Sequence, residues 1–391
     1  MRNVNPWNPW MSRFRSARAP LAANRLRVIA LLCLAAGACA APPRMLEEPR
    51  LSRCRLVVDA KSALVNADLR WFSPAHPPDR RAHAEWCGTV GPVVIAPMPG
   101  AGRRRHASGP DDLAIVTWNT HVGGGDLPAF VRDLRGGRWS GGIPVGDFVL
   151  LLQEVFRDGP EVPKPTGVSP PVPDAIVPPA PPSGRLDIVD AAERLGLSLF
   201  YAPSMRNGAG VARAAEDRGS AILSTLPLSG FRVIELPFER QRRVAVAASV
   251  AMPGARQGRV LHVISVHLDS RGARRRLVVL SPAARRRQAR GLIAALPRDG
   301  AAVVGGDLNT WLWGREGAVL ELRRALPDPP GGGGSTYGSL RLDYLFFRLA
   351  PGWTASSRVL DEAYGSDHRP VAAWLRTSGA PVPPAGEPAR P

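Results

Sequence analysis

From residue 113 onward the apolar positions come in short, dense runs separated by glycine, proline and charged residues. LAIVTWN (113–119), FVLLL (148–152), GSAILS (219–224), RRVAVAASVAM (242–252), RVLHVISVHL (259–268), AAVVGGDLN (301–309), LDYLFFRL (342–349) and PVAAWL (370–375) are each too short for a helix and too continuously apolar for a half-exposed strand. Such runs predict strands buried on both faces. Between them, LPAFVRDL (127–134), IVDAAERLGL (188–197) and PAARRRQARGLIAALP (282–297) place apolar residues at helical spacing. Strands interleaved with helices, some joined as antiparallel neighbours, predict an α/β sandwich of two sheets with helices outside.

Residues 39–110 read differently. RLVV (55–58), RWFSP and EWCGTVGPVVIAP suggest a small cap or extra strands, and the polar joint PGAGRRRHASGPDD closes the segment. A proline-rich stretch over 160–182 reads as a surface insertion with polyproline character, and 377–391 as a disordered tail. The main domain is therefore expected over 111–376. No internal repeat interrupts it, and its length suffices for one substantial core.

Composition narrows the partners. The 391 residues carry a formal charge of +18, almost wholly as arginine, since Lys61 and Lys164 are the only lysines. Residues 1–38 contain six arginines and no acid, so their removal would leave +12. A chain that basic favours a polyanion, nucleic acid or anionic lipid. Arg25 and Arg27 precede VIALLCLAAGA (28–38), an apolar run too short to span a bilayer and followed by small residues. It reads as a signal peptide cleaved after Ala38 or Ala40, or as a lipoprotein signal with Cys39 lipidated. Export to the periplasm, the cell envelope or the medium follows, with a membrane attachment through Cys39 in the second case. In an oxidising compartment Cys54 and Cys87 are expected to form one disulfide, contributing roughly 3–4 kcal/mol on a chain-entropy view. A zinc site lacks the Cys and His spacing it needs. A monomer is expected.

Candidate chemistry gathers at strand ends. LAIVTWN ends on Asn119, the FVLLL run leads into Gln153 and Glu154, VISVHLD ends on His267 and Asp269, AAVVGGDLN on Asp307 and Asn309. RLDYLFF carries Asp343 at its start, and SDHRPVAAW opens with Asp367 and His368. One Asn or Asp after a strand is ordinarily a turn residue. Six such places in order are another matter, and a carboxylate beside a buried run, as at Glu154, calls for a hard cation or an arginine as partner.

The ordered series WN, QE, VHLD, GDLN, LDY and SDH resembles the endonuclease/exonuclease/phosphatase superfamily, typified by secreted DNase I, exonuclease III-type nucleases, neutral sphingomyelinases and inositol polyphosphate 5-phosphatases. The resemblance covers residues 113–375 and includes RGSAILSTLPL (218–228). It implies a four-layered DNase I-like sandwich, two packed mixed β-sheets flanked by helices, and hydrolysis of phosphoesters with Mg²⁺, Mn²⁺ or Ca²⁺. It further implies Glu154 as the main metal ligand with Asn119 beside it, and Asp367 completing the acidic wall or holding a second cation. Asp307 would orient or deprotonate the attacking water, and Asn309 would hold a phosphate oxygen. His267 would donate to the phosphate, His368 would act in general acid–base chemistry or transition-state stabilisation, and Asp343 would fix its tautomer. Both imidazoles are expected to be cationic, offsetting charge on the phosphorane-like transition state. Arg218 is either a phosphate-binding cation or an ordinary surface arginine; Arg274–Arg276 and Arg285–Arg287 are candidates for backbone-phosphate contacts. His121 stands where abasic-site nucleases of the family carry an acid, which argues against abasic-DNA repair, and the absence of a long aromatic hairpin weakens a lipid substrate. The leading expectation is an exported DNase I-like nuclease. Its rivals are a sphingomyelinase-like phospholipase C or inositol-phosphate phosphatase, and a non-catalytic binding module on the same scaffold.

Overall fold

The computed structural model describes residues 41–48, 56–58, 68–97, 112–163, 184–206, 216–252, 259–270, 281–312, 314–328 and 332–377. The signal segment, Cys39, Cys54, most of the proline-rich insertion, Arg274–Arg276 and the tail beyond Thr377 lie outside these. In chain order the strands are β1 (Met45–Glu48), β2 (Val57–Val58), β3 (Leu69–Pro74), β4 (Val93–Ala96), β5 (Asp112–Asn119), β6 (Phe148–Arg157), β7 (Ser198–Arg206) and β8 (Asp217–Ser224). They continue with β9 (Leu228–Glu235), β10 (Val244–Ala251), β11 (Val260–His267), β12 (Ala301–Asp307), β13 (Asp343–Arg348), β14 (Thr354–Val359) and β15 (Val371–Arg376). The helices are α1 (Pro77–Cys87), α2 (Leu127–Arg135), α3 (Ile188–Leu195), α4 (Ser281–Ala295) and α5 (Gly317–Ala325).

Two mixed sheets result, with orders β1-β3-β9-β10-β11-β12-β13 and β14-β15-β5-β6-β8-β7-β4-β2. The doubly apolar runs explain the layering. On β5 and β6, Leu113, Ile115, Val149 and Leu151 face the other sheet, while Ala114, Val116, Trp118, Leu150 and Leu152 face α2 and α3. On β12 and β13, Val303, Leu345 and Phe347 face inward, while Ala302, Val304, Tyr344 and Phe346 pack under α4 and α5. The alternation of a strand thus feeds two cores at once, giving helix, sheet, sheet, helix as four layers. Residues ahead of β5 supply β1 and β3 to the rim of one sheet and β2 and β4 to the rim of the other, with α1 as a helix the sequence pattern does not announce.

The sheets approach closely beneath one end. A Cβ on Gly305 would meet Leu151 Cδ1 at 2.7 Å from the facing sheet and Thr117 Cβ at 2.9 Å; one on Gly306 would meet the Val266 carbonyl oxygen at 1.9 Å. Only glycine fits both places. In that same layer Gln153 spans the gap, donating from Nε2 to Ser265 Oγ at 2.9 Å and to the Leu151 carbonyl at 2.8 Å, while Ser265 Oγ donates to the Leu152 carbonyl at 2.9 Å.

Candidate active site

Two residues further along from Thr117, Ser265 and Gly305, the next inward-facing positions carry the chemistry. Strand register sets His267 opposite Asp307 between β11 and β12, and Asp307 opposite Asp343 between β12 and β13. These three form a row along one sheet. Asn119 meets the row from the other sheet, donating from Nδ2 to Asp307 Oδ2 at 3.0 Å. Glu154 would point outward in a regular strand because Gln153 points in. A bulge between Leu152 and Val155, with Glu154 at φ 53°, turns it back to the rim. A left-handed backbone at a non-glycine residue costs of order 1–3 kcal/mol, and such strain gathers at functional sites.

His368 closes the arrangement from the loop before β15. That loop is docked on the end of β5: Trp118 Nε1 donates to the His368 carbonyl at 3.0 Å, Ser366 Oγ donates to the Asn119 carbonyl at 2.7 Å, and His368 N donates to Ser366 Oγ at 3.1 Å. The imidazole Nδ1 meets Asp343 Oδ2 at 2.7 Å, and Nε2 lies 3.9 Å from Asp307 Oδ2. Thr336 Oγ1 accepts from the backbone N–H groups of Leu342 and Asp343, and the neighbouring Tyr337 ring lies 4.9 Å from the His368 ring.

Electrostatics separate the two histidines. Burial alone would push His368 down, but the carboxylates of Asp343 and Asp307 overcome it and hold its pKa at about 10. His368 is therefore an imidazolium at neutral pH. His267 goes the other way: burial, then the nearby guanidinium groups of Arg243 and Arg218, force it well below its ordinary value. The hydrogen bonds agree. Asn309 Nδ2 donates to the Leu268 carbonyl at 3.0 Å, which orients the amide, and its second hydrogen faces His267 Nε2 at 2.9 Å. Nε2 thus accepts, the proton sits on Nδ1, and Glu154 Oε1 lies 3.8 Å from that nitrogen. The expectation of two cationic imidazoles holds for His368 and is corrected for His267, because desolvation beside two arginines outweighs its carboxylate neighbours. Burial raises the pKa of Asp307, with the Asp343 charge adding to it against the pull of His368, Asn309 and Asn119.

Asn119, Glu154, His267, Asp307, Asn309, Asp343 and His368 are therefore brought together. Asp367 stands aside: its Oδ1 meets His121 Nδ1 at 3.2 Å. Among the described residues no hydrogen bond or ion pair joins it to Asn119 or Glu154. Arg218 reaches the site, with Nη1 at 3.6 Å from Glu154 Oε2. The expectation for Arg285–Arg287 is overturned. Arg285 makes a buried two-pronged pair with Glu316 at 2.9 and 2.8 Å. Arg286 is paired with Glu321, and Arg287 with Asp79 and Glu239. All three fasten α4 to its surroundings. Asp269 is structural too, accepting from Arg243 Nε at 3.2 Å and from the backbone N–H of Arg240 at 3.1 Å. Sequence reasoning missed Arg243 and Tyr337; an arginine before an apolar strand and a tyrosine in a glycine-rich turn carry no signal of their own.

Two groups offer themselves to a cation. The ligating atoms of Asp307, Asp343 and His368 lie within 4.8 Å of one another, with His368 Nδ1 already hydrogen-bonded to Asp343 Oδ2 at 2.7 Å. Glu154 fits better. Neither carboxylate oxygen has a hydrogen-bond partner among the described residues, the Arg218 guanidinium standing at 3.6 Å and the neutral His267 ring at 3.8 Å. Asn119 Oδ1 accepts from His121 N at 3.0 Å and keeps a second lone pair. Hard oxygen donors with open coordination suit Mg²⁺ or a similar ion.

The family model described as Endonuclease/Exonuclease/phosphatase family matches residues 116–368. Similar solved structures include an endonuclease/exonuclease/phosphatase from Beutenbergia cavernae, 23% identical with a TM-score of 0.48, covering 70% of this chain and 73% of that one. The human Nocturnin catalytic domain is 17% identical at 0.44, covering 71% and 98%. Sphingomyelinase C from Streptomyces griseocarneus is 18% identical at 0.41, covering 67% and 99%. No curated protein matches the chain. With its family-model match spanning every strand end that carries the site, the chain belongs to the endonuclease/exonuclease/phosphatase family.

Proposed function

We propose that this protein is an exported, divalent-cation-dependent phosphodiesterase acting on nucleic acid. The observation that carries the reading is the continuous polar row His267, Asp307 and Asp343 on one sheet, met by Asn119 and Glu154 from the other and closed by a protonated His368. Glu154, with Asn119 beside it, would hold the cation, which when bound neutralises phosphate charge and lowers the pKa of water. Asp307, raised toward neutrality by burial, is suited to take a proton from the attacking water. As the phosphorus–oxygen bond breaks, charge building on the phosphoryl oxygens faces the His368 imidazolium, while the Asn309 amide holds neutral His267 so that it offers its Nδ1 proton. Asp343 holds His368 in its charged form. Export, by cleavage or through a lipidated Cys39, a Cys54–Cys87 disulfide and a monomeric state belong to the same proposal and rest on the sequence.

Purified protein incubated with supercoiled plasmid and, separately, with sphingomyelin vesicles, each with and without EDTA, tests it. EDTA-sensitive nicking of the plasmid is the expected result. Release of phosphocholine alone would transfer the reading to a lipid substrate, and no turnover of either would remove the hydrolase reading.

A further inference from the structure

Next to Glu154 and His267 a small pocket opens, with Arg218 and Arg243 in its wall and Met205 beside them. Two guanidinium groups share it. The Arg243 side chain is only 6% exposed and is fixed from behind by its Nε bond to Asp269. Asp269 is itself held by the backbone of Arg240 and Gln241 and by Gln288. Neither Nη of Arg243 has a hydrogen-bond partner among the described residues. Arg218 is in a similar condition: its Nε is buried with no partner, Nη2 reaches only the Met205 sulfur at 3.3 Å, and Nη1 stands 3.6 Å from Glu154. Other buried arginines of this protein are spent on carboxylates, Arg242 on Glu235 and Arg285 on Glu316. A buried guanidinium donor without a partner, as at Arg218 Nε, is costly unless a ligand completes it, and the unbonded Nη edge of Arg243 belongs to the same pocket.

We infer that this pocket is a subsite for a second phosphate of the substrate, with Arg243 as its specificity-determining residue. The planar fork of a guanidinium matches phosphate oxygens in pairs. Asp269 holds that fork in place before substrate arrives, and the pocket adjoins Glu154 and His267, where the scissile phosphate would sit. The substrate class is then a molecule with two phosphates a short span apart, a nucleic-acid strand or an inositol polyphosphate, rather than a phospholipid with a single phosphodiester. The inference rests on the phosphodiesterase reading above.

The test compares kcat/KM for the dinucleotides d(ApA), d(pApA) and d(ApAp), for inositol 1-phosphate against inositol 1,4-bisphosphate, and for bis-p-nitrophenyl phosphate, which has no second phosphate. Wild type should cleave one terminally phosphorylated dinucleotide roughly 10–100-fold faster than d(ApA), the span expected for hydrogen bonds to a charged group. Preference within the inositol pair alone would identify the second source. Arg243→Gln should lose that advantage, its kcat/KM falling roughly 10–100-fold further on the terminally phosphorylated dinucleotide than on bis-p-nitrophenyl phosphate, and Arg243→Lys should recover part of it. Arg218→Gln serves as a second variant should Arg243→Gln fail to fold. An equal loss on every substrate would make Arg243 a merely structural residue, and wild-type indifference to the second phosphate in both series would overturn the inference. Should wild type turn over none of these compounds, the hydrolase reading fails by itself. The pocket is then judged by calorimetry with inorganic pyrophosphate, where binding by wild type that Arg243→Gln abolishes sustains it and equal or absent binding sinks it.

Discussion

At the scale of single residues, the two histidines divide a task that their identical chemistry conceals. The sequence offers His267 and His368 as equals; only the neighbours distinguish them, a carboxylate pair around one and two guanidinium groups near the other. Those neighbours come from strands far apart in the chain, so no local pattern could have revealed the difference. Replacing His368 or His267 with alanine should lower kcat by about 10²–10⁴-fold each, the usual worth of a positioned proton donor or acceptor. Both variants should remain folded by circular dichroism, and full activity in both would dissolve the assignment. A finer prediction concerns Asp343. With its pKa held at about 10, His368 keeps its proton through neutrality, and its pairing with Asp343 fades only as pH rises from the free value near 6.5 through 10. Asp343→Asn removes the largest charge that raises it. The alkaline fall in kcat of that variant should therefore begin about 1–3 pH units lower than in wild type, the usual effect of one close opposite charge. A pH–rate profile with an unmoved alkaline limb would show that Asp343 does not act through His368.

At the scale of elements, what the sequence disclosed follows from burial on two faces. FVLLL, AAVVGG and LDYLFF belong to strands covered by apolar residues on both faces, β13 even at its sheet edge, so their pattern is dense and visible. The strand β14, TASSRV, lies on a sheet edge with partly exposed residues and shows no such run. The helix α1 buries Asp79, His83 and Trp86, a helical stripe written mostly in polar residues, and the hydrophobic pattern passes over it. Polar burial also misled the reading of α4. Arginines in a row look solvated or substrate-facing, yet Arg285 is nearly fully buried against Glu316, which also accepts from the Trp311 backbone N–H just past the site loop. Removing one partner leaves an uncompensated buried charge, so Glu316→Ala should lower unfolding free energy by roughly 3–5 kcal/mol. Denaturant melts measure it. A change below about 1 kcal/mol, the range of surface pairs, would mean that the pair is solvated in solution.

At the scale of the whole molecule, the basic charge overstates the grip on a polyanion. The formal +18 invites the picture of a wide cationic face. Among the described residues, however, 30 arginines stand against 29 Asp and Glu, and Arg70, Arg138, Arg185, Arg242, Arg285, Arg286 and Arg287 each lie against carboxylates of this same chain. The cations turned toward the site, among these same described residues, are the His368 imidazolium with Arg218 and Arg243, so contact with a strand should neutralise few phosphates. Counterion release makes that number measurable, since log K falls with log salt at about −0.7 per phosphate contacted on a single strand. Binding of a short oligodeoxynucleotide, followed by fluorescence anisotropy in EDTA to prevent cleavage, should give a slope of about −2, corresponding to roughly three contacts. Arg243→Gln should make it shallower by nearly one contact. A slope several times steeper, unaffected by that substitution, would place the main nucleic-acid contact on the basic stretches outside the described residues and leave the rim with catalysis alone.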